Sequence, residues 1–321
     1  MTPAEDPTGD PARGDALIAP AGGGFRDSVW NVDVTKAPLN ELSDVQMTGL
    51  TSRLAQLYGG NAAFAIYQYG VSWVTVPEDQ PRATVNWYDC TDKGHTPPGL
   101  FGPSGQFEDV PIPDDATPTD GTDQELTIYQ PSTDTMWDFW KAQHGEDGWR
   151  ACWGGRIDEV SRNDGAFPFP YGASASGLAR EAGMVSINDV RSGRIDHAVA
   201  LSIPSGQVAR GFVWLATRSD GENTAPDAIP EGARLRLDPR LDVGSLGLTR
   251  IGTMIALAAQ RYGFIVTDGS GTLTVPGEGP YAYQAAVGVD PWVEYLDGLR
   301  PSAVLANFPW NEVQVLDLDW R

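Results

Sequence analysis

The sequence predicts a mainly β fold, a single jelly-roll-like β-sandwich domain with a few peripheral helices. Three observations predict it. Apolar residues alternate in short runs, as at Leu126 and Ile128 and through Val199, Leu201 and Ile203. Glycine and proline are abundant, 37 and 25 of 321 residues, and punctuate the runs as turn residues do. Tryptophans gather around one stretch, Asp123 to Pro204, with Trp137, Trp140, Trp149 and Trp153 inside it and Trp214 just beyond. Aromatic and β-branched residues suit a pleated, half-buried surface.

Taken in order, residues 1–24 are polar text rich in Pro, Gly, Asp and Ala, and read as a flexible N-terminal arm. Residues 25–321 read as the one domain, with Phe25, Val29 and Trp30 docking onto it. The spacing of Leu50, Leu54 and Leu57 predicts a helix that Ser43 or Asp44 caps and Gly59–Gly60 end. AAFAIYQYGVSWVTVP and ATVNWYDC read as strands. Residues 92–122 form a long loop whose Leu100, Phe101 and Phe107 lay it on the surface of the sandwich. In TMWDFW, period-two alternation puts Trp137 and Phe139 on one face, as core, and Trp140 on the other.

The clearest helix spans 249–262. Ile251, Met254, Ile255, Ala258, Ala259 and Tyr262 make one stripe, and Gly263 stands at the C′ position. FIVTDGSGTLTVP reads as a hairpin around Asp268–Gly271. DPWVEYLDG reads as a short helix with Asp290 as cap and Pro291 at its first position. The tail EVQVLDLDW adds a last strand.

Composition excludes several functions. The formal net charge is −21 with only three lysines, a surface that repels phosphate backbones, so no nucleic-acid partner is expected. No apolar run reaches 18 residues, so no membrane span is expected. The N-terminus has no basic and apolar regions of a secretory signal. Cys90 and Cys152 lack metal-ligand spacing, and the burial habit of cysteine favours free buried thiols over a disulfide. Three dispersed histidines make no zinc site. No metal and no cofactor are expected.

Candidate chemistry centres on the segments around Trp149–Ile157 and Gly193–His197. Trp153, Trp149 and Arg156 are the candidate ligand-binding residues: rings that stack on sugars and a cation that holds an acidic group. His197, Asp158 and Asp196 are the candidate catalytic residues, able to move protons near neutral pH. Each has a plainer reading. Adjacent strand residues point to opposite faces, so Asp196 is badly placed to orient His197, and a structural histidine bonded to backbone is favoured. GASASG lacks the G-x-S-x-G nucleophile spacing. Arg156, Arg162 and Arg194 serve equally well as ion-pair partners.

The ordered motifs VSWVTVPEDQPRATVNW, LTIYQPSTDTMWDFWKA, GWRACWGGRIDEVSRNDG, GASASGLAREAGMVSINDVRSGRIDHAVALSIP and IGTMIALAAQRYGFIVTDGSG resemble a family of actinobacterial proteins, several of them secreted. Related sequences occur among tail-associated proteins of phages that infect those hosts. The resemblance runs from about Trp30 to the C-terminus and transfers no catalytic residue. It implies a virion protein of a phage tail, structural or recognising the host envelope, with glycan binding as one form of that role. The missing secretory signal favours this setting. The arm would then contact other virion proteins, a cell-envelope polysaccharide would be the ligand, and the protein would act as a homo-oligomer. The alternative is an extracellular polysaccharide-degrading enzyme, a glycoside hydrolase or lyase.

Overall fold

A computed structural model describes residues 11–321. Among them, α1 (Pro11–Asp15) and α2 (Ser43–Gln56) precede β1 (Ala63–Ala65), β2 (Trp73–Thr75) and β3 (Asn86–Trp87). Five strands then follow closely: β4 (Leu126–Gln130), β5 (Thr135–Trp140), β6 (Gln143–Gly145), β7 (Gly148–Ala151) and β8 (Trp153–Ile157). α3 (Ile187–Ser192) leads into β9 (Val199–Pro204), β10 (Val208–Phe212), β11 (Ile229–Glu231) and β12 (Arg234–Leu237). α4 (Arg250–Arg261) feeds β13 (Phe264–Ser270) and β14 (Thr274–Pro276). α5 (Tyr281–Val287), α6 (Trp292–Leu296) and β15 (Val313–Val315) complete the described chain.

The strands form four sheets. The largest has the order β1-β14-β9-β13-β12-β15; the next is β2-β4-β5-β8; β3-β7-β6 and the pair β10-β11 are smaller. The fold is strand-rich with few helices, as expected. Its pairing differs from the antiparallel pairing of a jelly roll, because β9 runs parallel to β13, β1 to β14, β2 to β4, β3 to β7 and β10 to β11.

β9 explains the mixed pairing. All six of its residues are buried, since α2, α4 and the 180–183 turn pack on it. A strand covered on both faces can sit centrally and pair in parallel. The hairpin expected around Asp268–Gly271 is therefore not formed. β13 and β14 straddle β9, one parallel and one antiparallel to it, and burial of apolar β9 between them outweighs the local turn signal.

α4 and α6 follow their sequence patterns, whereas α2 lacks the expected cap by Ser43 or Asp44: Leu42 stands at its N-cap, and the Ser43 hydroxyl instead accepts the Val315 N–H of the last strand at 2.9 Å. Thr249 caps α4 by accepting the Gly252 N–H at 2.9 Å, and the stripe from Ile251 to Ala259 is buried. Gly263 ends it at φ +81°, where any side chain would strike the Leu235 carbonyl oxygen. Asp290 accepts the Trp292 N–H at 2.8 Å at the start of α6.

The chain from Pro11 to Gly24 is part of the packed body, which corrects the expectation of a flexible arm there. Ile18 and Ala19 are buried, α1 packs on α5, and the Ala19 N–H donates to Glu278 at 2.8 Å. Apolar Leu17–Ile18 and backbone donors supply the anchoring that composition averaged away. The rest of the expected arm, and any partner it would contact, lies outside the described residues. Cys90 and Cys152 form a disulfide, with Cα atoms 5.7 Å apart, in place of the free thiols expected. The strand order brings together cysteines 62 residues apart in sequence, a proximity that sequence does not display. Loop closure of that length stabilises by about 4 kcal/mol.

The β2-β4-β5-β8 sheet has two different faces. Leu126, Ile128, Trp137 and Phe139 fill one apolar core with Leu100 and Phe107 of the long loop. The opposite face carries Met136 and Ile157 at one end, which join the main core. The remainder of that face is polar and aromatic, and it borders a cleft.

Candidate functional site

The cleft holds about 1440 Å³ and lies between the β2-β4-β5-β8 sheet and the β1-β14-β9-β13 side of the large sheet. Strand register builds the first wall. Trp140 pairs with Trp153 across β5 and β8, and Glu125 stands one step before the Leu126–Phe139 pair. Glu125, Trp140 and Trp153 therefore form a row on the cleft face. Trp153 stacks on Tyr171 with ring centroids 5.9 Å apart, and the Lys93 ammonium lies 5.7 Å above it. The Trp140 indole N–H donates to Asp123 at 3.2 Å. Tyr69 and Phe169 add exposed rings at the rim.

The second wall is the end of β13. β13 pairs with β9 in step to Val266, Thr267 is an extra residue, and Asp268 resumes the pairing opposite Ser202. Such a bulge re-aims the residue beside it, and Asp268 lines the cleft. Burial pushes its carboxyl up to about 6, with Arg180 opposing and Asp220 assisting. A buried acid that is part-protonated near neutral pH can donate as well as accept.

The floor joins the walls. Arg180, whose side chain is 10% exposed, pairs with Glu125 and donates to the Gly70 carbonyl at 3.1 Å. Its charge also opposes the upward shift of the Asp268 carboxyl. GASASG crosses the floor as backbone. The Ala173 N–H donates to Asp138 at 2.8 Å and the Ala175 N–H to Asp268 at 3.4 Å. Arg218 holds this loop with all five N–H groups, donating to the carbonyls of Pro170, Tyr171, Gly172, Ser174 and Ala175. Asp138 lies below; burial, then Glu181 nearby, raises its pKa well above the ordinary value.

The six candidates from the sequence do not meet in one place. Trp153 lines the cleft. Trp149 is buried, tilted against the His144 ring, and donates to the Pro113 carbonyl at 3.1 Å. Arg156 and Asp158 pair with each other at 3.1 Å away from the cleft lining, and Asp196 pairs with Arg194 at 2.6 Å on the surface. His197 is buried, held between the Ala198 carbonyl at 2.8 Å and Asp189 at 3.3 Å. The expected grouping of Trp153, Arg156, Asp158, Asp196 and His197 is thus corrected. β8 and β9 belong to different sheets, and local ion pairs consume the charged residues.

Sequence reasoning misses Glu125, Arg180, Arg218, Asp220 and Asp268 as site residues and places Trp140 only on the strand face opposite the core. One signal for Asp268 was present: a lone acid between an apolar run and glycines, in FIVTDGSG. No known family, curated protein or solved structure matches the chain.

Proposed function

We propose that the protein recognises a polysaccharide in the cleft, in the setting of a phage tail that contacts a cell envelope. One observation carries this reading: a cleft of about 1440 Å³ with tryptophans on one wall and hydrogen-bonding carboxyls on the other. Flat rings bury the apolar face of a sugar, and carboxylates accept its hydroxyl groups. The Cys90–Cys152 bridge supports work outside the cell, since disulfides persist in oxidising surroundings. The tail setting rests on the sequence resemblance. Calorimetric titration with soluble envelope polysaccharides tests the reading, because binding must require Trp140 and Trp153.

A second reading, glycan hydrolysis, is favoured by Asp268. A carboxyl held near pKa 6 can protonate a leaving glycosidic oxygen, while a facing carboxylate activates water. Release of reducing ends that disappears in Asp268→Asn would establish it. Binding without release of reducing ends from any bound glycan would leave recognition alone.

A further inference from the structure

The charges of the cleft divide into those already matched and those left for a ligand. Arg218 has five N–H groups and spends them on five backbone carbonyls. Arg180 is matched by Glu125. Among the described lining residues Lys93, at the rim over Trp153, and Arg218, whose charge the carbonyls do not neutralise, have no carboxylate partner in an ion pair, and Lys141 lies 4.5 Å over the Trp140 ring. Against these stand Asp120, Asp123, Asp220 and Asp268. An ionised carboxylate offers about four acceptor sites. Asp268 accepts from Ala175 and Gly269, and Asp123 from the Trp140 indole, so lone pairs remain on both. The cleft has spare acceptors, the Arg218 donors are spent, Arg180 is paired with Glu125, and carboxylates outnumber cations.

We infer that the cleft selects hydroxyl-rich glycan chains free of carboxylates and rejects chains bearing uronate carboxylates. The inference rests on the reading of the cleft as a saccharide site. A neutral sugar brings hydroxyl donors to the free lone pairs and faces of C–H groups to Trp140 and Trp153. A uronate brings a further negative charge among carboxylates, in a partly desolvated space where like charges repel more strongly than in water. Arginine forks usually capture sugar acids; here the Arg218 fork is closed on backbone carbonyls and Arg180 is already paired with Glu125.

The test uses the full chain on an array of neutral hexose and pentose, uronate and amino-sugar oligosaccharides at 0.15 M salt, followed by calorimetry on the ligands found. Neutral chains should bind, in a manner lost in Trp153→Ala, and uronate chains of equal length should bind at least about tenfold more weakly, a gap of about 1.4 kcal/mol. Carboxyl reduction of a rejected uronate chain that matches a bound neutral backbone should restore binding. In the Asp123→Asn/Asp220→Asn double variant the gap should narrow. Uronate chains that bind as tightly as neutral ones, or more tightly, through Trp153 would overturn the selectivity and leave the saccharide site standing. A gap unchanged in the double variant would overturn its electrostatic origin. If no saccharide binds, the saccharide reading itself falls, and the selectivity with it.

Discussion

Two of the places where this molecule buries titratable groups differ in what stands before them. At the first, Asp189, His197 and Glu278 lie under the N-terminal segment. Glu278 accepts the N–H groups of Ala19 and Ile187, both at 2.8 Å, and His197 is held by Asp189 and the Ala198 carbonyl. Gly22 lies against the His197 ring, so closely that a Cβ there would come within 3.3 Å. The chain itself fills the space. At the second, Asp268, Glu125 and Asp220 face a cleft walled by rings. Perturbed protonation occurs at both, so it does not identify a site by itself. Room for a ligand separates the cleft from the structural node.

The largest expected effect tests the wall of the cleft. Cys152 lines it beside Trp153. Reduction of the disulfide should lower unfolding free energy by about 4 kcal/mol in denaturant titration, with hydrogen exchange rising first around β7 and β8. Uniform loss across β9 as well would break the division into two regions.

The node should respond next. Asp189→Ala removes the partner of a buried histidine and the capping box of α3. The expected cost is about 3 kcal/mol. A cost under about 0.5 kcal/mol would contradict a structural role.

A pH series sharpens the same point. Burial pushes the Glu278 carboxyl up to about 8. A raised carboxyl means that the folded state binds the proton more tightly. Its contribution is complete below the ordinary value of 4.5 and is lost as pH climbs through about 8. For His197, burial opposes the charge, but Asp189 and the Ala198 carbonyl outweigh it and raise the pKa. That contribution is present below 6.5 and lost at higher pH, with the same sign. Stability should therefore fall between pH 5 and pH 8, by on the order of 3 kcal/mol. Glu278→Gln should lessen the slope, buried Glu231, whose carboxyl is also pushed up to about 8, carrying part of the remainder, and an unchanged slope in that variant would refute the assignment.

The smallest effect on stability belongs to the cleft. Asp268→Asn should change unfolding free energy by less than about 1 kcal/mol at pH 8, or raise it, since function and stability trade against each other at such positions. A loss of several kcal/mol would make Asp268 another structural node.

Legibility in the sequence follows the range of the cause. Local causes were readable. The stripe and glycine of α4, the Asp290 cap and the opposite faces of Trp137 and Trp140 depend on residues a few positions apart. Insertion of β9 between β13 and β14 depends on segments about 65 residues apart, and a strong glycine signal pointed instead to a hairpin. The cleft is assembled from still more distant segments, near 61–69, 120–125, 140–153, 173–180, 218–220 and 268–274. Of the site residues read from the sequence, Trp153 alone lines it, through a register with Trp140 that requires strand pairing to be known.

The most direct test of the account is calorimetric titration of an array-positive neutral oligosaccharide into wild type and Trp153→Ala. Trp153 is only partly buried, so the variant should fold with little change in thermal midpoint. The account predicts binding to wild type and at least about tenfold weaker binding to the variant, the worth of one aromatic stacking contact. Equal affinity in the two proteins, at equal stability, would place the ligand elsewhere and contradict the assignment of the cleft.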